Sequence, residues 1–486
     1  MPFLDRLQHW AREQPDRTAV RVGGAELSFA ELVESATAML PEAGSVTTLC
    51  QPNSVELVAR FAAAVAGERR CAVLDPTWTA VQRQAVEQRL QAFGTPTEGR
   101  PQPALTTLLQ DGRAESPFLI GLTSGTSAVP KGFSRSRISW QRSFDRSIAY
   151  FGLARQDVTL APGPLSASLN LYALSECLYA GAPFLTLPSF DLAGVHRTIS
   201  EHAVTRLVVV PTMLRMIAER GMIAERGASS GTGASNGAGI RSIISAGAKL
   251  GPQTLAAARR WAPNATIFEY YGASELGFLA ATRLDPDRPD TQLATAVGRA
   301  FPGVRLLVRD SHGAELAAGC PGTIYACSDL VSNGYLWGDD GRAFSRDGDW
   351  YTVGDQGFLD PDGVLHFLGR RSDMMVSAGH NVYPHEIELA LQDLPGVQTA
   401  IVTGMADGYR GHRIVAAVLP QKPGPQSSAP GAEAFRTSAR QLLPAHKRPT
   451  AYFALRELPV TAGGKISRPL LADWIAGRDP RVSRLS

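Results

Sequence analysis

The stretch "LTSGTSAVPKGFSRS", Leu122 to Ser136, decides how the rest of the chain is read. It follows a short apolar run, "SPFLIGLTS" (Ser116–Ser124), that breaks into small residues as a buried strand entering a loop would. Gly125 permits unusual backbone angles, Thr123, Ser124, Thr126 and Ser127 offer hydroxyl donors, and Lys131 offers charge. Those are the parts of an anion cradle. The nucleoside-triphosphatase loop GxxxxGK[ST] needs Gly before its Lys and a hydroxyl after it. Pro130 and Gly132 occupy those places, so that chemistry is excluded. On this stretch alone, a surface loop with no ligand remains the competing reading.

Downstream the pattern alternates. "TRLVVVP" (205–211), "RSIISAG" (241–247) and "ATIFEYYG" (265–272) read as strands, with helices over 212–226 and 252–263 between them. Strand–helix–strand repetition predicts an α/β fold with a mainly parallel sheet. "GASSGTGASNGAG" (227–239) does not meet GxGxxG and follows a helix, so it is read as an insertion loop. From about residue 300, Gly-punctuated segments such as "GTIYACS" and "GVLHFLG" predict a β-rich region. After Gly369 a compact α+β tail begins, with helix "PHEIELALQDL", three strands and a polar loop at 420–432.

The totals fit this layout. A chain of 486 residues calls for at least two domains, and a net charge of +3 gives no reason to expect nucleic acid as a partner. Five scattered cysteines without CxxC spacing point to a reducing compartment rather than to disulfides or zinc. The start carries charges throughout and no signal-peptide core, and no window holds the roughly 18 apolar residues of a membrane span. A cytoplasmic location is expected.

The opening loop resembles the signature T-S-G-T-T-G-x-P-K-G of the adenylate-forming superfamily, which includes acyl-CoA synthetases and peptide-synthetase adenylation domains. The resemblance runs on in order. "LSFAEL" (27–32), "CAVLDPTW" (71–78), "YYGASE" (270–275), the block "YTVGDQGFLDPDGVLHFLGRRSDMMVSAGHNVYPHEIE" (351–388) and "PVTAGGKISR" (459–468) are all similar to its motifs. The family activates a carboxylate with ATP to an acyl-adenylate and pyrophosphate, then usually passes the acyl group to a thiol. It implies a large N-terminal domain (1–369) of parallel-sheet α/β subdomains plus a β-rich subdomain, a hinge at 370–372, and a small mobile α+β domain (373–486).

The roles it implies are specific. Thr123, Ser124, Gly125, Thr126, Ser127, Lys131 and Ser274 would hold the ATP phosphates, with Glu275 as the Mg2+ carboxylate. Gly247, Ala248, Tyr271 and Gly272 would form the adenine slot. Asp355 and Arg370 would hold the ribose. Lys465 would be the catalytic ammonium, bridging the acid's carboxylate and the phosphate oxygens as charge develops. Ser372 falls at the hinge position, and Gly379 where the pantetheine chain of CoA, or of a phosphopantetheinyl carrier, passes the backbone. Ala167, Ser168 and Gly272 would border the acyl pocket.

Three positions depart from the pattern. Ala128 replaces the second loop Gly, Arg137 stands where a His is frequent, and Ala167 stands where P-L-x-H places another His. Ala167 should widen the acyl channel. The segment 163–172 carries no carboxylate to hold a substrate ammonium, which disfavours an amino acid. The expected enzyme is an AMP-forming acid–thiol ligase using ATP, Mg2+ and CoA. Transfer to a carrier protein or a separate enzyme is the alternative, and a non-catalytic nucleotide-binding relative the minor one. The acid and the oligomeric state are not encoded in these motifs.

Overall fold

The computed structural model describes residues 3–485 apart from 42–45, 95–108, 124–128, 228–236, 288–294, 340, 342–343, 393, 421–430 and 461–465. Seven strands bear on the site: β1 (Pro117–Thr123), β2 (Lys131–Ser136), β3 (Thr266–Ala273), β4 (Gly277–Leu284), β5 (Tyr335–Trp337), β6 (Asp355–Leu359) and β7 (Val364–Arg370). So do three helices: α1 (Arg137–Phe151), α2 (Ser168–Ala180) and α3 (Pro384–Gln392).

The expected strands and helices are present. Arg206–Val209, Ser242–Ser245 and β3 pair in parallel, linked through helices Pro211–Gly227 and Pro252–Trp261. Arg206–Val209 is buried along its whole length, as a parallel strand covered on both faces must be. The same parallel run continues through Thr159–Leu160 and Phe184–Thr186 to Thr18–Val22. At the β3–β4 hairpin the sheet turns antiparallel, and it stays so through Ala296–Ala300, β7 and β6. The β-rich part therefore begins near residue 277 rather than 300. Most of the insertion loop at 227–239 lies outside the described residues. Its last three, Gly237–Gly239, form one 3₁₀ turn.

A second sheet orders β5, β2, β1, Arg70–Val73 and Val46–Leu49. β1 and β2 are joined by the loop of the opening stretch and lead straight into α1, whose N-cap Ser136 accepts from the Ser139 N–H. Gly152, left-handed at φ 68°, ends that helix. A third sheet starts at Met375–Ser377, after the turn Arg371–Asp373, and packs its own apolar core with α3. Among the described residues no helix is long and apolar enough to cross a membrane.

Candidate active site

The loop of the opening stretch is the connection of a β-hairpin. β1 and β2 are antiparallel, and Thr123 stands opposite Lys131 at the loop's base. Ser124, Gly125, Thr126, Ser127 and Ala128 lie outside the described residues. In a strand, alternate side chains share a face, so Lys131, Phe133 and Arg135 of β2 point one way. The Lys131 ammonium lies over the Tyr335 ring at 5.6 Å, and the Phe133 ring meets Tyr335 edge-on at 6.4 Å. Gly132, on the other face, sits against Trp337.

The second hairpin, β3–β4, brings the "YYGASE" motif to its tip. Gly272 is required there because a Cβ would lie 2.3 Å from the Gly277 carbonyl oxygen across the turn. Ser274 Oγ is 3.2 Å from Ser168 Oγ on α2. Glu275 is 8% exposed, and its Oε1 accepts a short hydrogen bond from the Tyr335 hydroxyl. Burial, then the Glu275 charge, push the Tyr335 phenol well above its ordinary range. Glu275 Oε2 accepts no hydrogen bond among the described residues, which suits one hard oxygen ligand for a cation. No group of three or more His, Cys, Asp or Glu side chains among those residues is arranged to hold a metal ion. Phosphate and water oxygens would have to complete the coordination.

β6 and β7 place Asp355 opposite Arg370. Asp355 Oδ2 accepts from the Tyr271 hydroxyl at 2.5 Å, and Oδ1 lies 3.7 Å from Arg370 Nε. That Oδ1 is buried and makes no hydrogen bond among the described residues, the arrangement a pair of sugar hydroxyls could complete. Burial raises the Asp355 pKa, against the lowering effects of Tyr271 and Arg370. The Tyr271 ring rests against Phe367 at 5.2 Å. Gly247 and Ala248 lie exposed in the turn after Ser242–Ser245.

Between the two hairpins and α1 and α2 lies a cavity of about 250 Å³. Gly272, Ser274, Gly247 and Ser168 line it, as does Ser166, but Ala167 between those serines does not. Ala167 therefore does not act on the cavity through its own side chain. Arg137 also plays no part in it. At the first position of α1 it is fully buried, donating to the carbonyls of Val65, Arg69, Ser116 and Pro117 and to the Ser116 hydroxyl. It is a tie within the core.

A family model described as "AMP-binding enzyme" matches residues 82–336, and one described as "AMP-binding enzyme C-terminal domain" matches 386–465. The chain belongs to the AMP-binding enzyme family. An uncharacterized acyl-CoA ligase, YhfT of Bacillus subtilis, is 31% identical over 365 residues, covering 74% of this chain and 69% of that protein. The 2-succinylbenzoate–CoA ligase of Geobacillus kaustophilus is 28% identical, covering 96% of this chain and 97% of its own. Among solved structures, O-succinylbenzoate coenzyme A synthetase (MenE) of Bacillus subtilis in complex with AMP superposes with a TM-score of 0.80 over 99% of both chains, at 22% identity.

In this AMP-binding enzyme Lys465 lies outside the described residues, but the base of its loop is fixed. Val460 bridges to Ile466, and Ser467 N–H donates to the Pro459 carbonyl at 2.7 Å. Arg468 then reaches Asp373 at 2.9 Å and both carboxylate oxygens of the buried Glu388 on α3. Ser372 lies in the turn Arg371–Asp373 and bonds Asp373 at 3.2 Å. Gly379 (φ 80°) and Ala378 (φ 50°) form the two-residue turn of the hairpin Met375–Val382, and no atom would meet a Cβ at 379 within 4 Å. Sequence reasoning missed Tyr335 and Arg135. Arg135 had a usable signal: it stands four positions after Lys131 in a strand, on the same face.

Proposed function

We propose that this AMP-binding enzyme activates a carboxylic acid other than an amino acid with ATP and then passes the acyl group to the thiol of CoA. A carboxylate oxygen attacks the α-phosphorus in line, pyrophosphate departs, and an acyl-adenylate forms. The CoA sulfur then attacks the acyl carbon, and AMP leaves. The observation that carries this reading is a set of three polar pairings on the two hairpins, β5 and β6, Thr123 opposite Lys131, Tyr335 on Glu275, and Tyr271 on Asp355, with Ser274 beside Glu275 lining the cavity.

The roles follow from what each group offers. Lys131 and the loop hydroxyls neutralise and bind the leaving phosphates. Glu275, held by Tyr335, would supply one oxygen for Mg2+, whose charge would offset that gathering on the phosphates. Asp355 and Arg370 fix the ribose, while Tyr271, Gly247 and Ala248 border the base. Lys465 would reach the carboxylate when the small domain closes through the hinge at 370–372. Rotation of that domain would then withdraw Lys465 and bring Gly379 to the thiol path. The CoA-ligase names of YhfT and the Geobacillus enzyme support free CoA, rather than a carrier protein, as acceptor. All five cysteines are free, which supports a cytoplasmic location.

ATP–pyrophosphate exchange over a panel of fatty, aryl, dicarboxylic and polycyclic acids tests the first half. Acid-dependent exchange is expected, followed by a thioester when CoA is added. An AMP-ester that never yields a CoA thioester, whatever the acid, would refute the second half.

A further inference from the structure

The cavity is apolar along most of its wall, from Leu119 and Ile120 on β1 to Trp140 on α1 and Phe278 on β4. One cation interrupts that wall. Arg135 lines the cavity at 4% exposure. It donates to two backbone carbonyls, a short bond to Leu330 and one of 2.7 Å to Ser274. Among the described residues no carboxylate comes within ion-pair distance of it. Burial pushes its pKa down to about 10, against the more distant Glu275 charge, so it stays charged at neutral pH. Buried Arg137 is likewise held by carbonyls, but it lies away from the cavity, and two other buried cations meet a carboxylate directly. Arg206 pairs with Glu176 at 2.7 Å, and Lys249 makes a short pair with Glu269. A buried charge without such a partner is costly, and a ligand that supplies the opposite charge recovers that cost.

We propose that Arg135 is the counter-ion for a second carboxylate on the acid, so that the enzyme selects dicarboxylic acids whose two carboxylates are joined by an apolar spacer. This rests on the chain being an acid-activating ligase. Arg has five N–H donors in a planar fork that matches a carboxylate, and the two carbonyls engage two of them. Ser143 on α1 and Tyr172 on α2 also line the cavity, their hydroxyls 2.7 Å apart, and give it further polar contacts. The apolar wall would hold the spacer. An alkanoate of equal length leaves the guanidinium unpaired, and an ω-amino acid sets like charge against it.

The test is ATP–pyrophosphate exchange with matched series of alkanoates, α,ω-dicarboxylates and ω-amino acids, on the native enzyme and on Arg135→Met and Arg135→Lys. The native enzyme should favour its best dicarboxylate over the matching alkanoate by at least about tenfold in kcat/KM. Arg135→Met should reverse that order, and Arg135→Lys should keep it. A native preference for alkanoates would overturn the proposal without any variant. Equal losses on all acids in Arg135→Met would also overturn it, because Arg135 would then only hold the Ser274 turn in place. Either result leaves the adenylation reading standing. No exchange with any acid would remove both.

Discussion

Replacing Tyr271 by Phe keeps the ring beside Phe367 and removes one hydroxyl. In the native protein that hydroxyl donates at 2.5 Å to Asp355 Oδ2, while Oδ1 already lacks a hydrogen bond among the described residues. A hydrogen bond to a charged group contributes about 1.5–3 kcal/mol, so a loss of about 2 kcal/mol is expected at neutral pH. Asp355 has a folded-state pKa above its unfolded value, chiefly through burial. Its contribution to stability is therefore present below the unfolded pKa and lost as pH rises through the folded one. Without the hydroxyl the folded pKa rises further, and the loss at neutral pH grows. In urea, with a slope of about 3 kcal/mol/M, the midpoint of the large domain should fall by about 0.7 M. On acidification Asp355 takes up its proton, and the native bond becomes an ordinary one of about 1 kcal/mol. The gap between the two proteins should then roughly halve. An unchanged midpoint at neutral pH, or a gap that ignores pH, would refute the reasoning.

Lys465→Ala should slow adenylate formation by about 10²–10³-fold, while thioester formation from a supplied acyl-adenylate keeps its rate; equal loss in both half-reactions would deny Lys465 a specific role. Gly379→Leu should leave acid-dependent pyrophosphate exchange intact and slow CoA transfer by about tenfold or more, since a side chain there obstructs close approach and strains a left-handed backbone. A variant with unimpaired transfer would remove Gly379 from the thiol path. Arg137→Met should lower stability by about 3 kcal/mol, because its carbonyl partners lose a buried donor. Its relative rates across acids should match the native enzyme, and a changed ranking would show that Arg137 reaches the cavity after all.

Much of this is legible in the sequence. The strand–helix–strand run from 205 to 272 announced the parallel sheet because buried strands flanked by helices need apolar residues throughout, as in "RLVVV". "YYGASE" marks the end of the strand over 265–272, and the close approach at Gly272 is the hairpin tip that the sequence alone did not state. What stayed hidden were contacts set by distant segments. Tyr335 reaches Glu275 from 60 residues away, and nothing in "SNGYLWG" states that partner. Arg137 drew attention because it replaces a familiar His, yet it turns into the core. Two residues earlier, Arg135 faces the cavity. Position in a motif identified the departure; the alternation of a strand decided which arginine could touch a ligand.

That alternation makes β2 a ruler with marks at Lys131, Phe133 and Arg135. On the proposed reading, one end meets the triphosphate and the other meets the acid. Inserting or deleting a single residue within it would turn every mark beyond the change to the opposite face. Lys131 and Arg135 would then no longer share a face. If Arg135 meets the acid, a change of acid specificity at this strand is open to exchanged side chains but closed to a changed length.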